Sequence, residues 1–246
     1  DRIAPSVSSF SLQAASDSGR LSSDNLTNAT ALVYDLVFSE AVSGLAAGDF
    51  SNTGTATACA FGPSGSSGTT FTVTLTSCGP GTVVLTLASG GVADTAANTG
   101  PASAQAAPSV TIDRTAPTLT LAAVTPSPTS STSLSFSLTA GEALDCTTVA
   151  TTGGTDFTFG NLTGIGPITG AGSTTCAIPA TSSIAAGTSG SSSLTEAASF
   201  AVADDAGNVQ ANVGSGSPAS ITVDRIAPSV SSFSLQAASA SGRLSS

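Results

Sequence analysis

The sequence predicts an all-β protein built from tandem β-sandwich modules. Three observations carry this reading: the chain repeats, its apolar residues alternate with hydroxyl residues along short segments, and turn-forming clusters separate those segments. The repeat is the strongest. Asp1–Ser23 reads DRIAPSVSSFSLQAASDSGRLSS, and Asp224–Ser246 repeats it with one difference, Asp17 against Ala240. That copy lies 223 residues downstream, and a diverged version of its opening, Asp113-Arg114-Thr115-Ala116-Pro117, stands 112 residues downstream. The closing segments recur too. GGVADTAANTG (Gly90–Gly100) followed by SVTID (Ser109–Asp113) is matched by FAVADDAGNVQ (Phe200–Gln210) followed by SITVD (Ser220–Asp224). Self-similarity at a fixed period is the mark of repeat architecture. It divides the chain into module A over 1–112, module B over 113–223, and the first strand or strands of another module A over 224–246.

The strands follow from alternation. Leu134-Ser135-Phe136-Ser137-Leu138 and Thr70-Phe71-Thr72-Val73-Thr74-Leu75-Thr76 place apolar side chains on one face and hydroxyls on the other. Val7, Phe10, Leu12 and Thr118–Leu121 fit the same period, with a bulge expected at Ser8-Ser9. Gly, Pro, Asn and Ser clusters separate these runs, and no segment carries a helical period. Short strands in modules of this length suit a two-sheet sandwich. The last strand of each module runs directly into an Asp-Arg-X-Ala-Pro linker, where Pro5, Pro117 and Pro228 stiffen the chain by fixing φ.

Composition narrows the chemistry. Hydrophobic residues make up 40% of the 246 residues, enough for packed cores, while charged residues make up only 8%. An ordinary soluble domain carries about 25% charged residues, so Ser, Thr, Asn and Gly must supply the polar surface here. There is no His, Lys, Met or Trp, only one Tyr, and all five basic residues are Arg. Without His there is no imidazole base or imidazole metal ligand. Without Lys there is no Schiff base, no P-loop lysine and no Lys–Asn isopeptide cross-link. Serine has no base to activate it. The neighbours Asp204 and Asp205 would point to opposite faces of a strand, which suits no carboxylate acid/base pair. The glycines of Gly62–Gly68 lack a following Gly-Lys-Ser/Thr. The sequence therefore predicts no enzyme and no small-molecule substrate. A net charge of −10 with no basic cluster argues against nucleic acid. No apolar run approaches the roughly 18 residues of a transmembrane helix. No signal peptide opens the chain, so it reads as an excerpt of a longer exported precursor.

Several motifs together resemble a known family. In module A they are the DRIAP opening, VFSEAVSGLAAGDF (Val37–Phe50) and GGVADTAANTG with SVTID; in module B they are DRTAP and VADDAGN (Val202–Asn208). These are similar to the bacterial immunoglobulin-like domains of large repetitive surface adhesins, over nearly the whole chain. Two departures stand out: Gly141-Glu142-Ala143-Leu144 replaces the fuller Ser39-Glu40 pattern, and Ala97 replaces the glycine of A-G-N. The resemblance implies tandem immunoglobulin-like β-sandwich modules in an extended rod, secreted to the extracellular space or cell surface, with calcium between domains. Its partners would be other copies of itself, along or between fibres. A stalk or filament is the leading expectation. An adhesin repeat that itself binds a glycan or host protein is the alternative, although one Tyr and no Trp leave little for sugar stacking.

Four cysteines, Cys59, Cys78, Cys146 and Cys176, fall two to a module. An even count in a secreted chain suggests disulfides, most simply within modules, and neither pair has the usual sandwich-spanning spacing. Zinc is the rival, weakened by the absence of CxxC and of His. The acids lie near expected module ends. Asp1, Asp113 and Asp224 start the linkers, Glu40 and Glu142 are expected just after the second strand, and Asp94, Asp204 and Asp205 in loops before the last. A linker Asp, a loop Asp and a Glu meeting at one junction would offer calcium its hard oxygen ligands. The competing reading makes them ordinary turn residues, as it does Asp24. Asn25, Asn28 and Asn161 fit the N-glycosylation pattern, which is expected to be coincidental here.

Overall fold

The structure, a computed structural model, describes residues 2–211 and 218–234. The regular structure of the described residues is all strand, apart from the single 3-10 turns Ala14–Ser16, Ala47–Asp49 and Cys146–Thr148, with turns and irregular segments between. No helix among them is long and apolar enough to cross a membrane.

Each half of the chain is organised by one long central strand. In the first half this is Ala31–Ser43, in the second Ser133–Asp145, each of 13 residues. Alternation decides which way they face: Leu32, Tyr34, Leu36 and Phe38 are buried in one, Leu134, Phe136 and Leu138 in the other. Each pairs antiparallel with a strand of the same character, Ser67–Thr76 burying Phe71, Val73 and Leu75, and Ser173–Ser182 burying Cys176, Ile178 and Ala180. Opposite edges carry Val7–Leu12 in the first half and Leu119–Ala123 in the second. The Val7–Leu12 pairing shifts between Val7↔Phe38 and Ser9↔Val37, so the expected bulge at Ser8 is present.

Further sheets cover the buried faces. In the first half these are Gln105–Ala106 with Leu85–Leu87 and Phe50–Asn52, and Leu26–Thr27 with Val110–Ile112 and Gly81–Val83. In the second half Phe157–Gly160, Ser189–Glu196 and Ala219–Asp224 form one sheet. The result is two separate cores. One runs from Leu32 to Ile112, the other from Leu134 to Val223, and they share no residue. Edge-to-face aromatic pairs tighten the first, Phe10 on Tyr34 and Phe38 on Phe71, while Phe157 tilts against Phe200 in the second.

Two disulfides join Cys59 to Cys78 and Cys146 to Cys176, and no cysteine is free among the described residues. Cys59 and Cys78 flank the hairpin of Ala60–Pro63 with Ser67–Thr76 and clip its open end. Cys146 and Cys176 lie inside the second core and tie the 3-10 turn to the neighbouring strand. Replacing either pair by alanine should destabilise its half by about 3–4 kcal/mol, on loop-closure grounds; thermal unfolding of the two double variants measures this.

Tyr34 is fully buried, yet its hydroxyl has no hydrogen-bond partner among the described residues. Burial accordingly pushes its ionisation far upward. An unpaired buried hydroxyl destabilises a fold, and removing it while keeping the ring should be favourable. Tyr34→Phe is expected to stabilise the protein by about 1 kcal/mol, seen as a higher Tm. A lower Tm would mean that the hydroxyl is satisfied.

Candidate functional site

The long central strands do not stay regular. Register breaks between Val37 and Val42 against the first partner strand, and between Thr139 and Leu144 against the second. Glu40 and Glu142 lie inside these breaks, each the tenth residue of its strand. The sequence reading placed them after the strand. They lie within the strand instead: it resumes beyond the break, where its last residues pair again with the first partner, Val42 opposite Gly68 and Leu144 opposite Ser173, and also take new ones, Ser43 opposite Ala93 and Leu144 opposite Asp204. In the second half the irregularity thus carries Glu142 to the hairpin that bears Asp204.

An aspartate closes a turn onto the asparagine four residues on in both halves. Asp94 accepts from the Asn98 backbone N–H through Oδ1 and from Asn98 Nδ2 through Oδ2, both at 2.8 Å. Asp204 repeats this with Asn208, at 2.8 and 2.9 Å. Asp204 ends the strand Ala201–Asp204 rather than lying in a loop. The hydrogen bonds from Asn98 hold the Asp94 carboxyl below its ordinary value.

In the second half a third carboxylate joins. Asn208 Nδ2 also donates to the carbonyl of Asp113, at 3.1 Å, so this turn grips the linker. Asp113, Glu142 and Asp204 then present carboxylate oxygens within 4.8 Å of one another. Burial, followed by repulsion from Asp113 and Asp204, raises the Glu142 pKa above 4.5. Calcium holds oxygens at about 2.3–2.6 Å, so ligands across one ion lie up to roughly 5 Å apart. Three carboxylates with lone pairs to spare fit a hard divalent cation.

The other candidates lie apart. Asp1 falls outside the described residues. Glu40 and Asp94 hold the corresponding places in the first half. Asp224 accepts from the Ile226 N–H at 3.0 Å, as Asp113 accepts from the Thr115 N–H at 2.9 Å. Asp24 caps the Leu26 N–H. Asn25 and Asn161 occupy left-handed turn positions, with φ of 58° and 51°, which asparagine tolerates. The Asn161 amide donates to the Ser191 carbonyl.

Among the described residues Arg114 pairs with no acid. It donates back to the first half, from Nη1 to the Cys78 carbonyl and from Nη2 to the Ala29 carbonyl, each at 2.6 Å. Asp205 is taken by Arg20, through Nε to Oδ1 at 2.7 Å and Nη2 to Oδ2 at 3.0 Å. Sequence reasoning missed Arg20. A signal was present: Arg2, Arg114 and Arg225 belong to linker motifs, and Arg20 with its copy Arg243 are the only cations outside them.

No family profile matches the chain, and no curated protein matches it. Among solved structures it is similar to FdeC, described as a broadly conserved Escherichia coli adhesin, with a TM-score of 0.43 and 18% identity. That likeness covers 89% of this chain and 66% of the FdeC chain.

The raised Glu142 pKa gives a signed pH dependence. The folded state holds this proton more tightly than the unfolded chain, so stability falls as pH rises from 4.5 through the folded-state value. Above that window the ionised glutamate opposes folding unless a cation neutralises it. Glu142→Gln should therefore raise the Tm in chelator at pH 7, and the gain should vanish well below pH 4.5, where glutamate is protonated in both states. Equal Tm values for the two proteins at pH 7 in chelator would contradict this.

Proposed function

We propose that the chain is a stretch of a non-catalytic, extracellular structural protein. Immunoglobulin-like modules A and B stand end to end in a stalk or filament, calcium binds at their junction, and a disulfide staples each module. The observation that carries this reading is the meeting of linker Asp113 with Glu142 and Asp204 beside two independent cores. Bound there, calcium would neutralise three carboxylates. Asp113 would fix the linker while Glu142 and Asp204 fix module B. The disulfides support an oxidising location.

The third segment supports continuation into another module A. Phe10 packs against Tyr34 in the first copy, whereas its counterpart Phe233 is 98% exposed and Val230 is 82% exposed. A following strand like Ala31–Ser43 would cover both. Copies of the protein along the fibre are then its partners.

Calorimetry and small-angle scattering test this together. Calcium at 100 times its Kd should stabilise the protein by about 2.7 kcal/mol, and Asp204→Asn should abolish the gain. The maximum dimension of the A and B modules should approach 80 Å, taking roughly 40 Å for each from strand rise. No calcium effect on Tm would remove the cation from the proposal. A compact particle would overturn the stalk.

A further inference from the structure

The corresponding turns of the two modules differ in sequence: Asp94-Thr95-Ala96-Ala97-Asn98 in A, Asp204-Asp205-Ala206-Gly207-Asn208 in B. Their backbone hydrogen bonds are alike. Asp94 N–H donates to the Asn98 carbonyl and Ala97 N–H to the Asp94 carbonyl, as Asp204 and Gly207 do in B. Ala97 adopts φ of 64° and Gly207 φ of 93°. The turn itself therefore accepts alanine, and a further requirement for close packing favours glycine at 207.

That requirement comes from module A. The loop Ser18–Arg20 lies directly on the module B turn. Arg20 N–H donates to the Asp205 carbonyl at 3.0 Å, beside the two-pronged guanidinium contact. A Cβ on Gly19 would sit 2.2 Å from the Asp205 carbonyl oxygen, and one on Gly207 would sit 3.2 Å from the Gly19 Cα. Behind the guanidinium, a Cβ on Gly172 would come within 2.7 Å of Arg20 Nη2. Three glycines thus allow a contact that the two acceptor atoms of Asp205 and its carbonyl hold in place. Ser18 Oγ donates to Asn28 Oδ1 and Ser18 N–H to Thr27 Oγ1, so the donor loop is itself fixed. The ion pair is largely shielded, its side chains 24% and 10% exposed, which limits screening by salt.

The reverse junction has none of these parts. Module A carries Thr95 where module B has Asp205, and Ala97 where module B has Gly207. Module B has no Arg between Thr115 and Asp224, and the chain has no Lys. Module B can therefore offer no cation to the next module, and module A could not receive one.

We infer that the Arg20–Asp205 contact is a one-way clamp that locks A to the B that follows, so the stiff unit of the fibre is an A–B pair joined to the next pair by a looser linker. The inference rests on the module reading proposed above, and it places the stiffness of the A–B joint in protein contacts rather than in calcium.

The test joins two copies, residues 1–223 followed by residues 1–246, and measures spin-label distances across each junction in chelator. The labels are unnatural amino acids, so the disulfides stay intact. Exposed strand positions Ser51 in module A and Thr158 in module B serve for both junctions. A narrow distribution across A–B and a broad one across B–A is expected. Asp205→Thr and Arg20→Ala should each lose the narrow A–B peak; threonine is the residue module A carries at that place, so the fold accommodates it. Equal widths at the two junctions, or a narrow A–B peak that survives both substitutions, would overturn the clamp. If the A–B peak is broad in chelator and narrow only in calcium, the clamp is also overturned while the calcium reading stands. Distances too short for end-to-end modules would instead overturn the stalk.

Discussion

Each half of the molecule depends on the pairing of its 13-residue central strand with the strand beside it. The first stretch of that strand builds the core through strict alternation, with Phe136 and Leu138 facing Ile178 and Cys176 across the ladder. The register break then interrupts that partnership, which resumes with Leu144 opposite Ser173, and beyond it the strand also pairs with the hairpin around Asp204. One strand thus serves two purposes: its apolar part holds the sheets together, and its end delivers Glu142 to the linker. Moving the break by one residue would turn Glu142 to the opposite face.

The fold was legible in the sequence where burial has a period. The alternating segments at 70–76 and 134–138 are strands, and the doubled serine at Ser8-Ser9 marks a real bulge. The short pieces were not legible. Strands such as Leu26–Thr27 and Gln105–Ala106 have two residues each, too few to show any period, and they exist because a neighbour offers open backbone groups. The central strands were underestimated because the register break disrupts alternation at Ser39–Val42, and the pairing that continues the strand is set by residues distant in the chain.

The acidic cluster was partly legible for the same reason. Repeated Asp at the linker and repeated Asp-x-x-x-Asn before the last strand are local patterns, and the repeat itself flags them. Their sharing by one junction depends on tertiary structure, through the Asn208 amide that bridges Asp204 and the Asp113 carbonyl. Arg20 stood out in the sequence as a cation outside the linker motifs, but its pairing with Asp205 was illegible, since 185 residues separate them. Only comparison of the two similar turns, Thr95 against Asp205 and Ala97 against Gly207, makes the difference visible.

The disulfides have a consequence for a protein under tension. Pulling on the ends of a module unravels its sheets, but the residues enclosed by a disulfide cannot extend. The Cys146–Cys176 bond encloses a separation of 30 residues and Cys59–Cys78 one of 19. At about 3.4 Å per extended residue, they withhold roughly 100 Å and 65 Å of contour length. An oxidised chain that has lost its sheets therefore lengthens less than a reduced one, and a load on it would draw out two short leashes rather than two full-length threads.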